Sequence, residues 1–307
     1  MRVGPRRGEG HLNVHLVIEY VIDGLSLGSL YALFALGIGL LFGIMRLINF
    51  AHGELMMIGA YGLLFITSPP WPIRVLLVVG LTVFAALVME RVAFRPARGA
   101  DPDTLLITSF AVSFLLQNLA ILIFGALPRG ATIWPFLTRS VHVGSYTIPN
   151  IDLVTVGVTT ALLAGVGAFL GRTRIGVQMR ASAENFTMAR LLGVRANTVI
   201  ATAFALSGLL AGAASIILVQ QTGLISPTIG VTPVLAAFVA TILGGLGSLT
   251  GAVIGGYFLG GVTVALQATL PFAFRSYRDA FVFGAVLLVL VLRPQGLLIH
   301  RSTYTRV

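Results

Sequence analysis

Residues 24–61 read GLSLGSLYALFALGIGLLFGIMRLINFAHGELMMIGAY, an apolar run followed by a short polar break. Between Gly24 and Met45 there is no charged side chain. An apolar run of about 20 residues is long enough for one α-helix to cross the hydrocarbon core of a membrane. Runs of similar composition recur along the whole chain. The stretch therefore predicts a membrane helix, and its repetition predicts an all-α, polytopic transmembrane bundle.

The composition of the chain supports a membrane location. Of its 307 residues, 57% are apolar and only 10% are charged, whereas a soluble domain carries about 25% charged residues. A transmembrane barrel would show short segments in which apolar and polar residues alternate, and the sequence lacks that pattern. We therefore expect a single transmembrane domain over residues 1–307, with no room for a sizeable soluble domain.

The positions of the arginines predict which connections lie on the cytoplasmic side. Short cytoplasmic loops are enriched in basic residues, and arginines cluster at 91–103, at 172–195 and after residue 293. Even numbers of spans separate these three connections, so one side can hold them all. About eight to ten spans are expected, near 20–44, 47–67, 73–92, 105–125, 151–171, 199–219, 232–246, 252–270 and 278–293.

This arrangement of spans makes two further predictions about topology. It places residues 126–150 and the N-terminus outside, although Arg2, Arg6 and Arg7 oppose an external N-terminus. Either the bias is overridden there, or residues 11–19 form an extra interfacial segment. The two halves run in opposite directions, which is an inverted repeat of the kind common in transporters. Polar breaks at 48–54 and 225–233 occupy corresponding places in the two halves.

The basic residues also restrict how the protein can be driven. The net charge is +10, and the chain contains no lysine. A phosphate-binding P-loop requires a lysine, so ATP that drives this protein must be bound by another chain. Cysteine is absent, which excludes disulfides and thiolate metal sites. We expect no cofactor and no metal site in this chain. We also expect no nucleic-acid partner, because the arginines lie in connections between apolar spans.

The polar break near residue 50 contains Arg46, Asn49, His52 and Glu54. Ionisable groups in the hydrocarbon cost about 2.5–3.5 kcal/mol each on insertion scales, so these groups should pair, face a cavity or lie at an interface. Gly53 would let a helix begin or bend. The break could be a turn at the cytoplasmic surface, or Asn49 and His52 could cap the next helix. A proton relay through Glu54 is the functional alternative; metal binding by His52 and Glu54 lacks a third ligand.

Glycines recur at four-residue spacing in the stretch 243–261, LGGLGSLTGAVIGGYFLGG. Gly247, Gly251 and Gly255 form one row, which places them on one helix face where another backbone can approach closely. Gly256 and Gly260 form a second row. Close helix packing explains both rows, and sliding or pivoting of the helix during gating is the functional alternative.

The arginine-bearing connection RTRIGVQMRASAENFTMARLLGVR, residues 172–195, fits either a solvated loop or a short amphipathic helix. A helix over 180–193 would align Ala181, Asn185, Met188 and Leu192 along one stripe. Gly193 would end it. Such a helix would lie across the cytoplasmic face of the membrane.

Four blocks of the sequence resemble the permease subunits of branched-chain amino acid ABC transporters, of the LivH type. They are the quoted stretch 24–61, MRASAENFTMARLLGV (179–194), GGLGSLTGAVIGG (244–256) and RDAFVFGAVLLVLVLRPQGLL (278–298). The resemblance implies an ABC importer permease fold and a multi-pass protein of the bacterial plasma (inner) membrane. It also implies a second related permease subunit, two ATP-binding subunits and an extracytoplasmic substrate-binding protein as partners.

In this family, the cytoplasmic loop forms a coupling helix that docks in a groove of the ATP-binding subunit. The resemblance assigns that role to Arg180, Ala183, Glu184, Asn185, Ala189, Leu192 and Gly193. The spacing from Glu184 to Gly193 is longer than in the general EAA loop of ABC permeases, so the likeness is to this family's own loop. The segment INFAHGE is similar to the family's signature break, at Asn49, His52, Gly53 and Glu54.

The function expected from this resemblance is transport, with no catalytic residue in this chain. The solute would be a branched-chain amino acid, although related importers carry other amino acids, amides or urea. The alternative is an ion-coupled secondary transporter of a small solute, with Glu54, Asp23 and His52 as its coupling groups. A membrane-embedded enzyme has no support, because HExxH and GxSxG motifs are absent.

Overall fold

The computed structural model describes residues 9–131, 134, 136–137, 139–143 and 146–293. Its α-helices are α1 (Glu9–Met45), α2 (His52–Phe65), α3 (Trp71–Met89), α4 (Pro102–Phe124), α5 (Asn150–Arg172), α6 (Arg174–Glu184), α7 (Phe186–Leu191), α8 (Ala196–Thr222), α9 (Val231–Gly244), α10 (Leu249–Thr269) and α11 (Arg278–Leu292). A π-helical turn, Glu90–Phe94, extends α3, and a 3-10 helix, Phe272–Tyr277, precedes α11. Every predicted span coincides with one of the α-helices. The last part of the resemblance block, 294–298, lies outside the described residues.

Four short strands lie in the connections. They are β1 (Arg129–Gly130), β2 (Ser140–Val143), β3 (Tyr146–Pro149) and β4 (Leu224–Ile225). β2 pairs with β3 as an antiparallel hairpin, and β1 pairs antiparallel with β4. The second pair joins the connection after α4 to the connection after α8, so these two helices end on the same side of the bundle.

Within the described residues, six helices are long and apolar enough to cross a membrane alone. They are α1, α3 with its π-helical turn, α4, α5, α8 and α10. α2 and α9 have only 14 residues each, which corresponds to about 21 Å at 1.5 Å per residue. The hydrocarbon core is about 30 Å thick. Each of these two helices therefore needs the irregular segment before it to complete a crossing.

The two short helices begin in the middle of the bundle and run in opposite directions. The ring of His52, the first residue of α2, contacts Ser207, which lies halfway along α8. α2 then runs beside the second half of α8, where Gly59 approaches Ser215. α9 starts beside Gly53 and runs towards the start of α10. This geometry agrees with the predicted inverted repeat, and it places the two polar breaks against each other.

Contacts between distant connections show which helix ends lie together. Arg98 donates a hydrogen bond to Asn197 at the start of α8, and Gly43 near the end of α1 approaches Ala183 of α6. At the opposite end, Ser26 Oγ donates to Asp152 Oδ1 over 2.6 Å. The arginine-rich connections around 91–103 and 172–195 therefore share one face, as predicted, and the positive-inside rule makes it cytoplasmic.

The start of α1 lies on the external side, with the start of α5. Residues 11–19 are part of the continuous helix α1 and do not form a separate interfacial segment. Arg2, Arg6 and Arg7 lie outside the described residues.

The centre of the bundle is built from α1 and α8. In an apolar stretch of 18 residues within each of these helices, 83% of the residues are buried in α1 and 72% in α8. The corresponding values are 22% in α3 and 17% in α4. α3 and α4 therefore form an outer layer whose large apolar side chains, such as Phe84 and Leu122, face outward. An apolar residue gains nothing by leaving lipid, so helices in a membrane associate through close packing and polar contacts.

Candidate functional site

The close contacts of α10 explain most of the glycine rows. A Cβ at Gly251 or Gly255 would overlap backbone atoms of α9, so α9 and α10 pack backbone to backbone. On a second face, a Cβ at Gly256 would lie 2.5 Å from the Cα of Ala32 in α1. The placement of Gly247 on the first face is wrong, because α10 begins only at Leu249 and Gly247 lies in the preceding turn with φ +93°. A positive φ favours glycine, which explains that residue.

The signature break lies inside the bundle. Asn49, His52 and Glu54 are each at most 2% exposed, so the interpretation as a turn at the cytoplasmic surface is wrong. The capping interpretation also fails, because no side chain caps α2. The first N–H groups of α2 instead bond to the carbonyl oxygens of Asn49, Phe50 and Ala51, over 3.2–3.4 Å.

Hydrogen bonds hold two of the buried polar side chains of the break. Glu54 Oε1 accepts from Ser113 Oγ over 2.8 Å and from Gln117 Nε2 over 2.7 Å, both in α4. His52 Nδ1 lies 3.0 Å from Ser207 Oγ in α8. The break is thereby fixed to two full-length helices. Sequence reasoning missed these partners, although a serine or glutamine within an apolar span signals a polar contact between membrane helices.

The starts of α2 and α9 meet at Gly53 and Gly230. A Cβ at Gly53 would lie 2.7 Å from the carbonyl oxygen of Gly230, and a Cβ at Gly230 would overlap the backbone of Gly53. Only glycine permits this approach. Helix starts carry partial positive charge, so the contact brings two regions of partial positive charge together within the bundle. Asn49 adds a buried amide whose oxygen and nitrogen have no hydrogen-bond partner among the described residues.

The cytoplasmic segment 174–191 consists of two helices. The prediction of one helix over 180–193 is wrong, because Asn185 adopts an extended backbone (φ −151°, ψ 99°) between α6 and α7. The Asn185 side chain accepts a hydrogen bond from the Met188 N–H over 3.0 Å and so caps α7. Gly193 has φ +89° just after α7, which agrees with the predicted helix stop.

The residues assigned to coupling divide between two faces of this segment. Ala189 is buried and Ala183 is half-buried, and Ala183 lies against α1. The exposed members are Arg180, Glu184, Asn185, Leu192 and Gly193. Leu192 is 87% exposed. One face is therefore anchored to the membrane helices, and the other presents apolar and charged side chains to the cytoplasm.

A polar link joins the two cytoplasmic connections. The buried Glu90 forms an ion pair with Arg98, and Arg98 also donates to Asn197 Oδ1. Burial lowers the pKa of Arg98 from its ordinary value, and the charge of Glu90 opposes that shift. The link ties the end of α3 to the start of α8, directly after the coupling segment. Sequence reasoning did not identify it, because Arg98 and Asn197 lie 99 residues apart.

Asp23 lies far from the other groups considered for ion coupling. It lines an external cavity of about 570 Å³ with Asp152 and Gln221. Gly37, which contacts the His52 ring, follows Asp23 by 14 residues on the same helix, or about 21 Å. The structure therefore does not unite Asp23 with His52 and Glu54. In the described part of the chain, no group of three or more His, Asp or Glu side chains could hold a metal ion.

Comparison with known proteins gives consistent matches over nearly the whole chain. Residues 20–291 match the family described as branched-chain amino acid transport system / permease component. The high-affinity branched-chain amino acid transport system permease protein BraD of Pseudomonas aeruginosa is 35% identical, over 93% of this chain and 96% of its own length. LivH of Escherichia coli strain K12, with the same description, is 34% identical over 92% and 95%.

More distant matches are weaker. A probable branched-chain amino acid transport permease protein LivH of Methanocaldococcus jannaschii is 28% identical over 91% of this chain and 92% of its own length. Among solved structures, a chain of PsaBC from Streptococcus pneumoniae in complex with Fab aligns over 93% of this chain, with 15% identity and a TM-score of 0.49. That structural likeness is too low to support an inference.

Proposed function

The chain belongs to the family of permease components of branched-chain amino acid transport systems, and from this premise we propose that it forms half of the path for a branched-chain amino acid in an ABC importer. The observation that carries the proposal is the match to the permeases BraD and LivH, which covers more than nine-tenths of both chains. The protein acts as a multi-pass subunit of the plasma (inner) membrane and leaves ATP hydrolysis to its partners.

The energy for transport enters through the cytoplasmic segment α6–α7. The chain has no lysine and therefore no P-loop. The exposed face of α6–α7 and the turn after it offers Met188 and Leu192 as apolar contacts and Arg180 and Glu184 as charged ones. A surface of this kind suits a groove in a separate ATP-binding subunit, where apolar residues dock and charged residues fix the orientation.

The anchored face of the same segment offers a route for the movement. α6 contacts α1, α5 and α8, and α1 is the central helix of the bundle. α1 in turn packs closely on α10, because Gly256 and Gly260 of α10 lie against the backbone of Ala32 and Gly28 of α1. A displacement of α6–α7 would therefore reach the helices that surround the two polar breaks, 48–54 and 225–233, which meet at Gly53 and Gly230 and are called the paired breaks below. For the ATP-binding subunit to shift the equilibrium, it must bind one of the two conformations more tightly than the other.

The paired breaks are the proposed moving element of the path. α2 and α9 are short, begin at the same level and meet at the backbone of Gly53 and Gly230. Discontinuous helices of this kind form the central sites of many transporters. The hydrogen bonds of His52 and Glu54 would hold this element in position. The ion-coupled alternative is weakened, because Asp23 lies about 21 Å from His52 along α1.

Purification of the tagged chain in mild detergent tests the proposed assembly. We expect two ATP-binding subunits and a second permease subunit to co-purify, and an extracytoplasmic binding protein to stimulate ATP hydrolysis when it carries leucine, isoleucine or valine. Uphill uptake by the isolated chain in ATP-free vesicles, driven by an ion gradient, would overturn the proposal.

A further inference from the structure

A second cavity, of about 450 Å³, lies at the cytoplasmic end of the bundle between the extension of α3 and the start of α8. Arg91, Arg95 and Arg98 line it, together with Glu90 and Asn197. Neither the coupling segment nor the paired breaks contribute a lining residue. The cavity therefore needs an explanation of its own.

The cavity carries an excess of positive charge. Arg98 is neutralised by its ion pair with the buried Glu90. Arg91 and Arg95 are exposed, and within the part of the chain that the structure describes neither forms an ion pair. The start of the 27-residue helix α8 adds the positive end of a helix dipole. A ligand with one or two negative charges would balance this site.

The cavity also lies where the apolar surface of the membrane span ends. Leu87, Ala201 and Ala205 form its apolar wall. On the outer face of α3 and its π-helical extension, Phe84 and Val92 are 65% and 71% exposed and lie about two turns apart. An apolar surface on the outer layer of the bundle thus leads up to the arginines. This is the order in which a phospholipid presents its acyl chains and its phosphate.

We propose that the cavity lined by Arg91, Arg95 and Arg98 binds the phosphate headgroup of an anionic phospholipid from the cytoplasmic leaflet. The acyl chains lie along the outer face of α3 and its π-helical extension, from Phe84 to Val92. Basic pockets between membrane helices on the cytoplasmic side are suited to anionic headgroups, and each arginine near the surface contributes about a fivefold gain in affinity (about 1 kcal/mol). The bound lipid bridges α3 and α8 beside the Glu90–Arg98–Asn197 link.

The test measures how phosphatidylglycerol stabilises the purified full-length protein, with its co-purified subunits, against thermal unfolding. Titrations with phosphatidylcholine and with inorganic phosphate run in parallel. For the double variant Arg91→Gln/Arg95→Gln, we expect the apparent affinity for phosphatidylglycerol to fall about 25-fold. Arg293→Gln is the matched control, because it removes a cytoplasmic arginine that does not line the cavity.

A second variant covers the risk that the arginine changes disturb membrane insertion. Ala201→Leu leaves every charge in place and fills the apolar wall of the cavity, so it should also weaken phosphatidylglycerol binding. Equal binding by all variants would overturn the proposal. If inorganic phosphate stabilised the protein as much as phosphatidylglycerol does, the site would be assigned to a free anion and not to a lipid. Loss of the ATP-binding subunits with unchanged lipid binding would assign it to a protein partner.

Discussion

Substituting Gly53 by alanine tests whether the two half-helices must touch. An ideal Cβ at Gly53 lies 2.7 Å from the carbonyl oxygen of Gly230 and 3.1 Å from Cγ2 of Val234. Ordinary contact begins at 3.4 Å, so the carbonyl must retreat by roughly 0.7 Å, and overpacking of this kind costs about 1–3 kcal/mol. We expect the free energy of unfolding to fall by that amount, and uptake to fall with it.

Gly261 supplies the matched control. It also lies in a membrane helix, α10, but an added Cβ there meets nothing within 4 Å. Gly261→Ala should be neutral or stabilising by up to about 1 kcal/mol, because alanine favours a helix over glycine. Thermal unfolding in one detergent gives the stability of each variant. Uptake in cells, normalised to the amount of protein in the membrane, gives its activity.

A double-mutant cycle separates the contact from local effects. Gly230 has φ −84°, so alanine fits its backbone, and the three atoms nearest to an added Cβ all belong to Gly53. Once one substitution has widened the gap, the second should cost less, and the double variant should lose less stability than the two single variants together. Strict additivity, or equal stability of Gly53→Ala and Gly261→Ala, would refute the head-to-head contact.

Three further substitutions test the other parts of the site. Arg180→Ala with Glu184→Ala should uncouple ATP hydrolysis from uptake while the protein still inserts, because both side chains lie on the exposed face of the coupling segment; unchanged coupling in reconstituted vesicles would count against docking there. Ser207→Ala should lower the free energy of unfolding by about 1–3 kcal/mol, since it leaves Nδ1 of the buried His52 without its partner; a neutral result in thermal unfolding would show that this bond is dispensable. Glu54→Gln should retain ATP-driven uptake, because an amide oxygen can still accept both hydrogen bonds of the carboxylate, and complete loss of uptake at normal protein levels would instead support a proton relay.

The positions of the spans could be predicted because hydropathy is a local property. Each apolar run that predicts a span coincides with a helix, and the arginine-rich connections lie on one face. Local patterns also gave the stop at Gly193, where a positive φ ends the segment. The single helix over 180–193 was wrong because Asn185 prefers to cap the next helix with its own side chain. The periodicity of the apolar residues does not record that competition.

By itself, the sequence determined that this is a polytopic helical membrane protein with no ATP-binding loop, and its motifs carried the resemblance to the permease family. Only the tertiary structure decided that Gly53 and Gly230 meet and that Glu54 accepts hydrogen bonds from α4. It also decided that Asp23 lies far from His52 and Glu54. The physical reason is that composition and spacing specify which segments are helical and apolar, whereas the depth at which a helix begins depends on the neighbours it packs against. In a membrane those neighbours are selected by backbone approach and buried hydrogen bonds, which join residues that are distant in the chain.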